Sequence, residues 1–121
     1  MKKNKILIID DNKYLRFTLS AVLEEYGFHA LTAEDLATGM NQIKSTKPDL
    51  LILDKKLPDG DGIDFLKRVK EHNGKIPIIM LTAYANELNA LEALKIGVFA
   101  FLTKPFDNDE IIALIKKALP K

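Results

Sequence analysis

Five polar residues stand at or just past the end of short apolar runs that are spread across the 121-residue chain. They are Asp10, Asp11, Asp54, Thr82 and Lys104. Adjacent carboxylates repel each other and bind protons more tightly unless a cation relieves them, and Mg²⁺ prefers such oxygen ligands. A hydroxyl and an ammonium beside them could bond a phosphoryl group. If the fold brings the five side chains together, they predict an acidic site for Mg²⁺ and phosphoryl chemistry.

Some of these residues also have a simple structural interpretation when considered alone. Asp11 precedes a helical segment, where Asp is a favoured N-cap. Lys104 could be an ordinary solvated lysine, and Thr82 a β-branched residue that suits a strand end. Capping and solvation do not explain why all five residues follow apolar runs. The functional interpretation therefore depends on the elements that position them.

The apolar runs have the length and pattern of strands that are buried on both faces. They cover residues 6–9, 50–53, 78–81 and 98–102, and none alternates apolar with polar residues. A further strand is predicted at residues 28–32. In a parallel sheet every strand's carboxyl end points to the same edge, where α/β proteins bind ligands. We therefore expect the five polar residues to converge on one pocket.

Segments between and after these strands have helical periodicity. Their apolar stripes lie within residues 15–26, 36–43, 65–69, 88–94 and 111–119. Helix ends are expected at Gly27, at Lys47 before Pro48, near Asn73 and at Gly97, and a capping box is expected from Asp107 and Glu110. Strands that alternate with helices predict right-handed βα units. The fold class is therefore α/β, a single doubly wound domain with five parallel strands and five helices.

Composition fits one ordinary globular domain over residues 1–121. Hydrophobic residues make up 47% and charged residues 29%, a balance that disfavours disorder. Eighteen Lys and Arg offset 17 Asp and Glu, so the overall charge predicts neither a membrane surface nor direct nucleic-acid contact. The chain has no Cys, which excludes disulfides and thiolate metal sites. The first apolar run is too short for a signal peptide, so we expect a cytoplasmic protein.

The motifs at the strand ends resemble those of the receiver domains of two-component response regulators. The matching stretches are residues 8–12, 48–54, 57–58 with Gly62, 82–83 and 104–106. Each motif is weak alone, but their order and spacing are specific, and the resemblance covers essentially the whole chain. It implies a flavodoxin-like sheet with strand order 2-1-3-4-5.

The resemblance implies separate roles for the acidic residues. Asp54 resembles the phosphate acceptor, a carboxylate nucleophile that forms an aspartyl phosphate. By the same resemblance Asp11, Asp54 and the backbone carbonyl of Lys56 would bind Mg²⁺ directly, and Asp10 would act largely through water. The bound cation would neutralise the acidic cluster and the phosphoryl oxygens.

The resemblance also implies that Thr82 and Lys104 hold phosphoryl oxygens and that the Lys104–Pro105 bond is cis. Phe101 lies where members of the family carry a switching aromatic residue, often tyrosine. Thr82 and Phe101 would be the switch residues, and because phenylalanine has no hydroxyl, Phe101 would switch by packing alone. The alternative is that Phe101 is simply a core residue.

The loop after Asp54 departs from the family pattern. Gly60 stands where many members carry methionine, so the loop is expected to be more flexible. Its acidic residues are not a calcium loop, because the alternating ligands and distal glutamate are missing. Lys56 and Tyr84 would flank the phosphoryl group, and we hypothesise that their bulk restricts attacking water.

The leading functional prediction is a phosphorylation-operated signalling switch. A sensor histidine kinase or a histidine phosphotransfer protein would donate to Asp54, and a downstream effector would bind the face of helix four, strand five and helix five. The domain would be a signalling receiver rather than an enzyme, although it would catalyse its own phosphorylation and slow dephosphorylation. We expect it to be a monomer or weak dimer. His29 and His72 are expected to be surface residues rather than phosphohistidines.

Three alternatives differ in class or extent. A haloacid-dehalogenase-type phosphohydrolase also uses aspartate, Mg²⁺, threonine and lysine, but its Asp-x-Asp motif differs from the adjacent Asp10 and Asp11. A purely structural interaction domain does not need a full acidic pocket. The chain could also be a stand-alone receiver of a sporulation-type phosphorelay or the receiver fragment of a larger transcription activator, and the sequence leaves both open.

Overall fold

A computed structural model describes residues 3–83 and 87–119, with the side chains of residues 87–91 left undescribed. Five parallel strands form one sheet: β1 Lys5–Ile9, β2 His29–Ala33, β3 Leu50–Asp54, β4 Ile78–Thr82 and β5 Ala100–Thr103. Five helices follow them in turn: α1 Lys13–Glu25, α2 Leu36–Thr46, α3 Gly62–His72, α4 Glu87–Ile96 and α5 Asn108–Ala118. The strand order is β2-β1-β3-β4-β5. The predicted fold class and order are confirmed.

The sheet is covered on both faces, and its central strands β1, β3 and β4 are apolar except for Lys5, Asp54 and Thr82 at their ends. β1 illustrates this, since Leu7 and Ile9 belong to one core cluster and Ile6 and Ile8 to the other. The first cluster includes residues of α2, α3 and α4: Met40, Ile43, Phe65, Leu66, Val69 and Ala93. The second includes residues of α1 and α5: Leu19, Leu23, Ile111, Ile112 and Ile115. Burial on both sides is the reason that these strands show no polar alternation.

Two strand boundaries differ from the sequence expectation. β2 spans His29–Ala33, one residue later than predicted. β5 begins at Ala100 rather than at residue 98, because the Val98 amide donates to the Ala93 carbonyl at 3.1 Å and so belongs to the end of α4. Neither shift moves the carboxyl ends at which the polar residues lie.

The helix ends follow the predicted signals. Gly27 and Gly97 have left-handed φ values of 91° and 110° at the ends of α1 and α4. α2 ends at Lys47 as expected, but this lysine adopts a left-handed φ of 52°. Asp107 and Glu110 form the predicted capping box of α5. No helix in the described ranges has the length and apolar character needed to cross a membrane.

One local element was not predicted. Residues Lys56–Leu57 pair in antiparallel fashion with Gly60–Asp61, which makes a short ribbon directly after β3. The pairs are Lys56 with Asp61 and Leu57 with Gly60. Two-residue strands of this kind have no periodicity that a sequence pattern could reveal. The ribbon shapes the loop that borders the acidic pocket.

Candidate phosphoryl and metal site

Four strand ends place the predicted residues at one edge of the sheet. Asp10 follows β1, Asp54 and Thr82 end β3 and β4, and Lys104 follows β5. Among the described residues, the buried polar side chains are Asp10, Asp54 and Thr82, which are 0%, 7% and 5% exposed. Burying carboxylates without compensation is costly. This edge is therefore a polar pocket in an otherwise apolar interior.

Asp10 is fixed by bonds to each of its polar groups. Its amide donates to the Ala33 carbonyl at 3.1 Å, and its carbonyl accepts from Arg16 Nη1 at 2.7 Å. Its carboxylate accepts from the Asn12 amide at 2.9 Å and from Lys104 Nζ at 3.0 Å. The orientation of this buried acid is therefore set by three different parts of the chain.

Asp11 is exposed and is not the cap of α1. Asn12 takes that role, because its side-chain oxygen accepts from the Leu15 amide at 3.1 Å. The structural alternative for Asp11 is therefore wrong. Its carboxylate lies near those of Asp10 and Asp54, with one oxygen of each within 4.8 Å of the others. Three hard oxygen donors at this spacing fit a divalent cation such as Mg²⁺.

Lys104 joins the two buried carboxylates. Its Nζ lies 3.0 Å from Asp10 Oδ2 and 3.3 Å from Asp54 Oδ2. Burial by itself lowers the pKa of Lys104, but the bonds and charges of Asp10 and Asp54 outweigh it and raise that pKa. The ammonium therefore stays charged at neutral pH.

Asp54 experiences opposing influences. Burial and then the negative charge of Asp10 raise the pKa of Asp54, while Lys104 and the Lys56 amide act in the other direction, and the net change is upward. Lys56 Nα lies 3.4 Å from Asp54 Oδ1. An additional cation in the pocket would relieve this strain on the ionised carboxylate.

The ends of β4 and β5 are joined beside the pocket. The Lys104 amide donates to the Thr82 carbonyl at 2.8 Å, and Thr82 is aligned with Thr103 in the sheet. The Lys104–Pro105 bond is cis, as predicted. Phe101 is half-buried and packs against the first core cluster. Its switching role stays a prediction, and Tyr84 lies outside the described residues.

The remaining expectations concern the loop and the histidines. Gly60 has a φ of 154°, and a Cβ there would lie 3.0 Å from Leu36 Cδ1, so this glycine has a packing reason. Its predicted flexibility stays a prediction. His29 and His72 are both exposed, as expected. The sequence analysis missed two residues near the site: Arg16, which donates to the Asp10 carbonyl, and Asp59, which accepts from the first amides of α2. Arg16 lies one helical turn after Asn12 and could have been found from that spacing, whereas Asp59 could not.

Comparisons with known proteins converge on one family. A family profile described as the response regulator receiver domain matches residues 6–116. The sporulation initiation phosphotransferase F of Bacillus subtilis (strain 168) is 37% identical over 120 residues, which is 99% of this chain and 97% of that protein.

Longer relatives match over part of their length. The phosphate regulon transcriptional regulatory protein PhoB of Escherichia coli (strain K12) is 38% identical over 95% of this chain and 51% of its own length. The regulatory protein AtoC of the same strain is 37% identical over 96% of this chain and 25% of its own length. This chain thus spans about half the length of PhoB and about a quarter of the length of AtoC. The crystal structure of a two-component response regulator from Clostridium difficile superposes with a TM-score of 0.94, at 32% identity over 98% of each chain.

Proposed function

The chain belongs to the response regulator receiver domain family, and from this premise we propose that Asp54 accepts a phosphoryl group from a phosphohistidine. The observation that carries the proposal is the position of Asp54, 3.3 Å from an ammonium and within reach of two further carboxylates. A phosphoacceptor needs a nucleophile, a counter-charge and a cation site in one place.

Asp54 is the nucleophile of the transfer. A carboxylate oxygen attacks phosphorus, the P–O bond forms as the P–N bond to the donor imidazole breaks, and the imidazole leaves with the bonding electrons. Burial and Asp10 raise the pKa of Asp54, which makes the ionised oxygen a stronger electron donor. Lys104 opposes this rise in the pKa of Asp54 and faces the oxygens that the phosphoryl group brings.

Asp10, Asp11, Asp54 and the backbone carbonyl of Lys56 are the proposed ligands of Mg²⁺. When bound, the cation neutralises negative charge on the acidic cluster and on the transferred oxygens. Asp10 is fully buried and already bonded to Lys104, which suits it to a contact through water rather than a direct one. Asp11 is exposed and close enough to bind the cation directly.

Thr82 and Phe101 are the proposed switch residues. A phosphoryl group on Asp54 adds about two negative charges and new acceptor oxygens. Thr82 then donates to one of them, and the half-buried Phe101 repacks against the core. The effector face is that of α4, β5 and α5, and Leu94 in α4 and Phe99 just before β5 are exposed by 52% and 43%.

The donor is a sensor histidine kinase or a histidine phosphotransfer protein. A groove of about 410 Å³ beside Lys104 offers it a docking surface. The groove is lined by Tyr14, Leu15, Pro105 and Phe106 among others, and Tyr14 is 77% exposed. An exposed apolar lining next to Lys104 fits a protein donor better than a small phosphate ester.

The domain acts in the cytoplasm, as a monomer or weak dimer, and promotes its own phosphorylation and slow dephosphorylation.

Two settings are supported by different relatives. The Bacillus subtilis protein matches this chain over 97% of its length, which favours a stand-alone phosphorelay receiver. PhoB and AtoC match over 51% and 25%, which favours the receiver part of a transcription regulator.

Acetyl phosphate with Mg²⁺, followed by intact-protein mass measurement, tests the proposal. We expect the mass of one phosphoryl group to be added, and the addition to disappear with a chelator or with Asp54→Asn. Asp49→Asn is the matched control, since Asp49 directly precedes the other end of β3 and should leave the addition unchanged. A wild-type protein that binds Mg²⁺ but gains no mass would count against the function.

A further inference from the structure

The loop after the phosphoacceptor strand is tied to α2 by one carboxylate. Asp59 Oδ1 accepts from the Leu36 amide at 2.9 Å, and Oδ2 accepts from the Ala37 amide at 3.1 Å. Leu36 and Ala37 begin α2, where backbone amides have no partner inside the helix. Asp59 is thus a second cap on α2, supplied from 23 and 22 residues away in the chain.

α2 already has a cap from its own segment. Asp35 Oδ1 accepts from the Thr38 amide at 2.8 Å. The hydrogen bond from the Leu36 amide is the main cause that lowers the pKa of Asp59. Its carboxylate is therefore charged at neutral pH and complements the helix dipole. Because the helix start has another cap, the distinctive consequence of the Asp59 contact falls on the loop.

That loop carries Lys56. Asp59 lies in the turn of the ribbon, between the paired residues Leu57 and Gly60, and the ribbon begins at Lys56, two residues after Asp54. The start of the ribbon is also held near the nucleophile, because Lys56 Nα lies 3.4 Å from Asp54 Oδ1. Holding the ribbon turn therefore limits how far the Lys56 backbone can move.

The start of α2 is itself connected to the other side of the pocket. The Asp10 amide donates to the Ala33 carbonyl at 3.1 Å, just before α2. Arg16 holds the Asp10 carbonyl at 2.7 Å and lies 3.9 Å from Glu34. Bonds therefore run from Asp10 to the segment before α2, and from the first turn of α2 through Asp59 to the ribbon. The Lys56 amide on Asp54, and Lys104 between Asp54 and Asp10, close these runs into one path that includes both buried acids.

We propose that Asp59 is a positioning residue of the metal site, which holds the Lys56 carbonyl at a fixed place relative to Asp10 and Asp11. This inference rests on the proposed function, since that function assigns the Lys56 carbonyl to Mg²⁺. Outer partners that orient metal ligands typically change affinity by roughly 10–100-fold. Asp59 acts through the backbone, so Asp59→Ala is expected to weaken Mg²⁺ binding by about tenfold, the low end of that range.

Calorimetric titration of the apo protein with Mg²⁺ tests this, with two companion variants. Asp59→Asn keeps one acceptor oxygen and should give an intermediate dissociation constant. Asp35→Ala removes the other cap of the same helix and one negative charge, so it should lower thermal stability yet leave the Mg²⁺ constant near the wild-type value. Amide hydrogen exchange of residues 55–61 should quicken in Asp59→Ala and stay unchanged in Asp35→Ala.

Two results would overturn the inference. Equal weakening of Mg²⁺ binding in Asp59→Ala and Asp35→Ala would make Asp59 merely a helix cap. Loss of the difference at high salt, which screens charges but not contacts, would make its effect only electrostatic. Failure of the proposed function would be distinguishable, because the wild type would then gain no phosphoryl group. The Mg²⁺ dissociation constants are measured on unphosphorylated protein and do not depend on that result.

Discussion

Lys104 contacts two buried carboxylates, so replacing it with methionine isolates the contribution of its charge. Methionine keeps a long unbranched side chain but leaves Asp10, which is 0% exposed, without its ion-pair partner. Asp54 loses the ammonium that lies 3.3 Å from its carboxylate as well. The two acids then repel each other with no ammonium between them. We expect this repulsion to destabilise the folded state, because in the unfolded chain water solvates both acids.

The size of the effect follows from the burial of the pair. Removing one partner of a buried ion pair costs about 3–5 kcal/mol. The Lys104 side chain is 24% exposed, and water screens part of the interaction. We therefore expect Lys104→Met to lower the free energy of unfolding by about 3 kcal/mol at neutral pH, the low end of that range. For a domain of this size that corresponds to a midpoint lower by roughly 10 °C.

Thermal and urea unfolding followed by far-ultraviolet circular dichroism measure the change, since the chain has no Trp for fluorescence. Lys75→Met is the matched control, because Lys75 is exposed and lies away from the carboxyl ends of the strands, where the site is. Mg²⁺ provides a second measurement. A cation replaces the missing positive charge, so Mg²⁺ should stabilise Lys104→Met more than the wild type.

The reasoning fails if Lys104→Met is no less stable than Lys75→Met and Mg²⁺ stabilises both proteins equally. Lys104 would then be an ordinary solvated lysine. Combining Lys104→Met with Asp10→Asn gives a further check. If repulsion between unpaired acids is the cause, the double variant should be less destabilised than the sum of the single variants.

Three further predictions concern the acids and the loop. Burial first, and then Asp10, raise the pKa of Asp54, so the native state binds this proton more tightly than the unfolded chain does. Stability should therefore fall as pH rises from 3.8 through the raised pKa. Asp54→Asn should flatten that slope when melting is measured against pH without Mg²⁺. Asp11→Asn should weaken Mg²⁺ binding in calorimetry yet leave the melting midpoint of the apo protein nearly unchanged, because Asp11 is exposed; a large loss of stability would contradict this. Gly60→Ala should lower the free energy of unfolding by about 1 kcal/mol or more, since φ is 154° and the new Cβ would crowd Leu36, and an unchanged urea midpoint would refute it.

The sheet and the strand-end residues could be predicted because their signals are local. Residues 6–9, 50–53 and 78–81 are apolar at every position, a pattern typical of short strands that are buried on both faces. The carboxyl ends of parallel strands then share one edge whatever the loops do. This is why the apolar runs and the helical segments between them were enough to place Asp10, Asp54 and Thr82 together.

What could not be predicted depends on contacts between distant residues or on neighbours that compete for one role. Asp11 and Asn12 are both good N-caps, and the sequence does not say which of them accepts from the Leu15 amide. Asp59 meets α2 across 22–23 residues, through a two-stranded ribbon too short to have a pattern. The support around the site was therefore less predictable than the site.

We expect the pocket to separate cation binding from the transmission of the signal. Three carboxylates and one ammonium leave an excess of negative charge that a divalent cation can offset, and exposed Asp11 contributes to that excess without holding any strand. Lys104 differs, because its side chain binds the buried acids while its amide donates to the Thr82 carbonyl at 2.8 Å. We therefore expect a phosphoryl group that draws the ammonium away from Asp10 to act on the junction of β4 and β5, next to the proposed effector face. We expect substitutions of Asp11 to change how readily the domain is phosphorylated, and substitutions of Lys104 to change what phosphorylation does to that face.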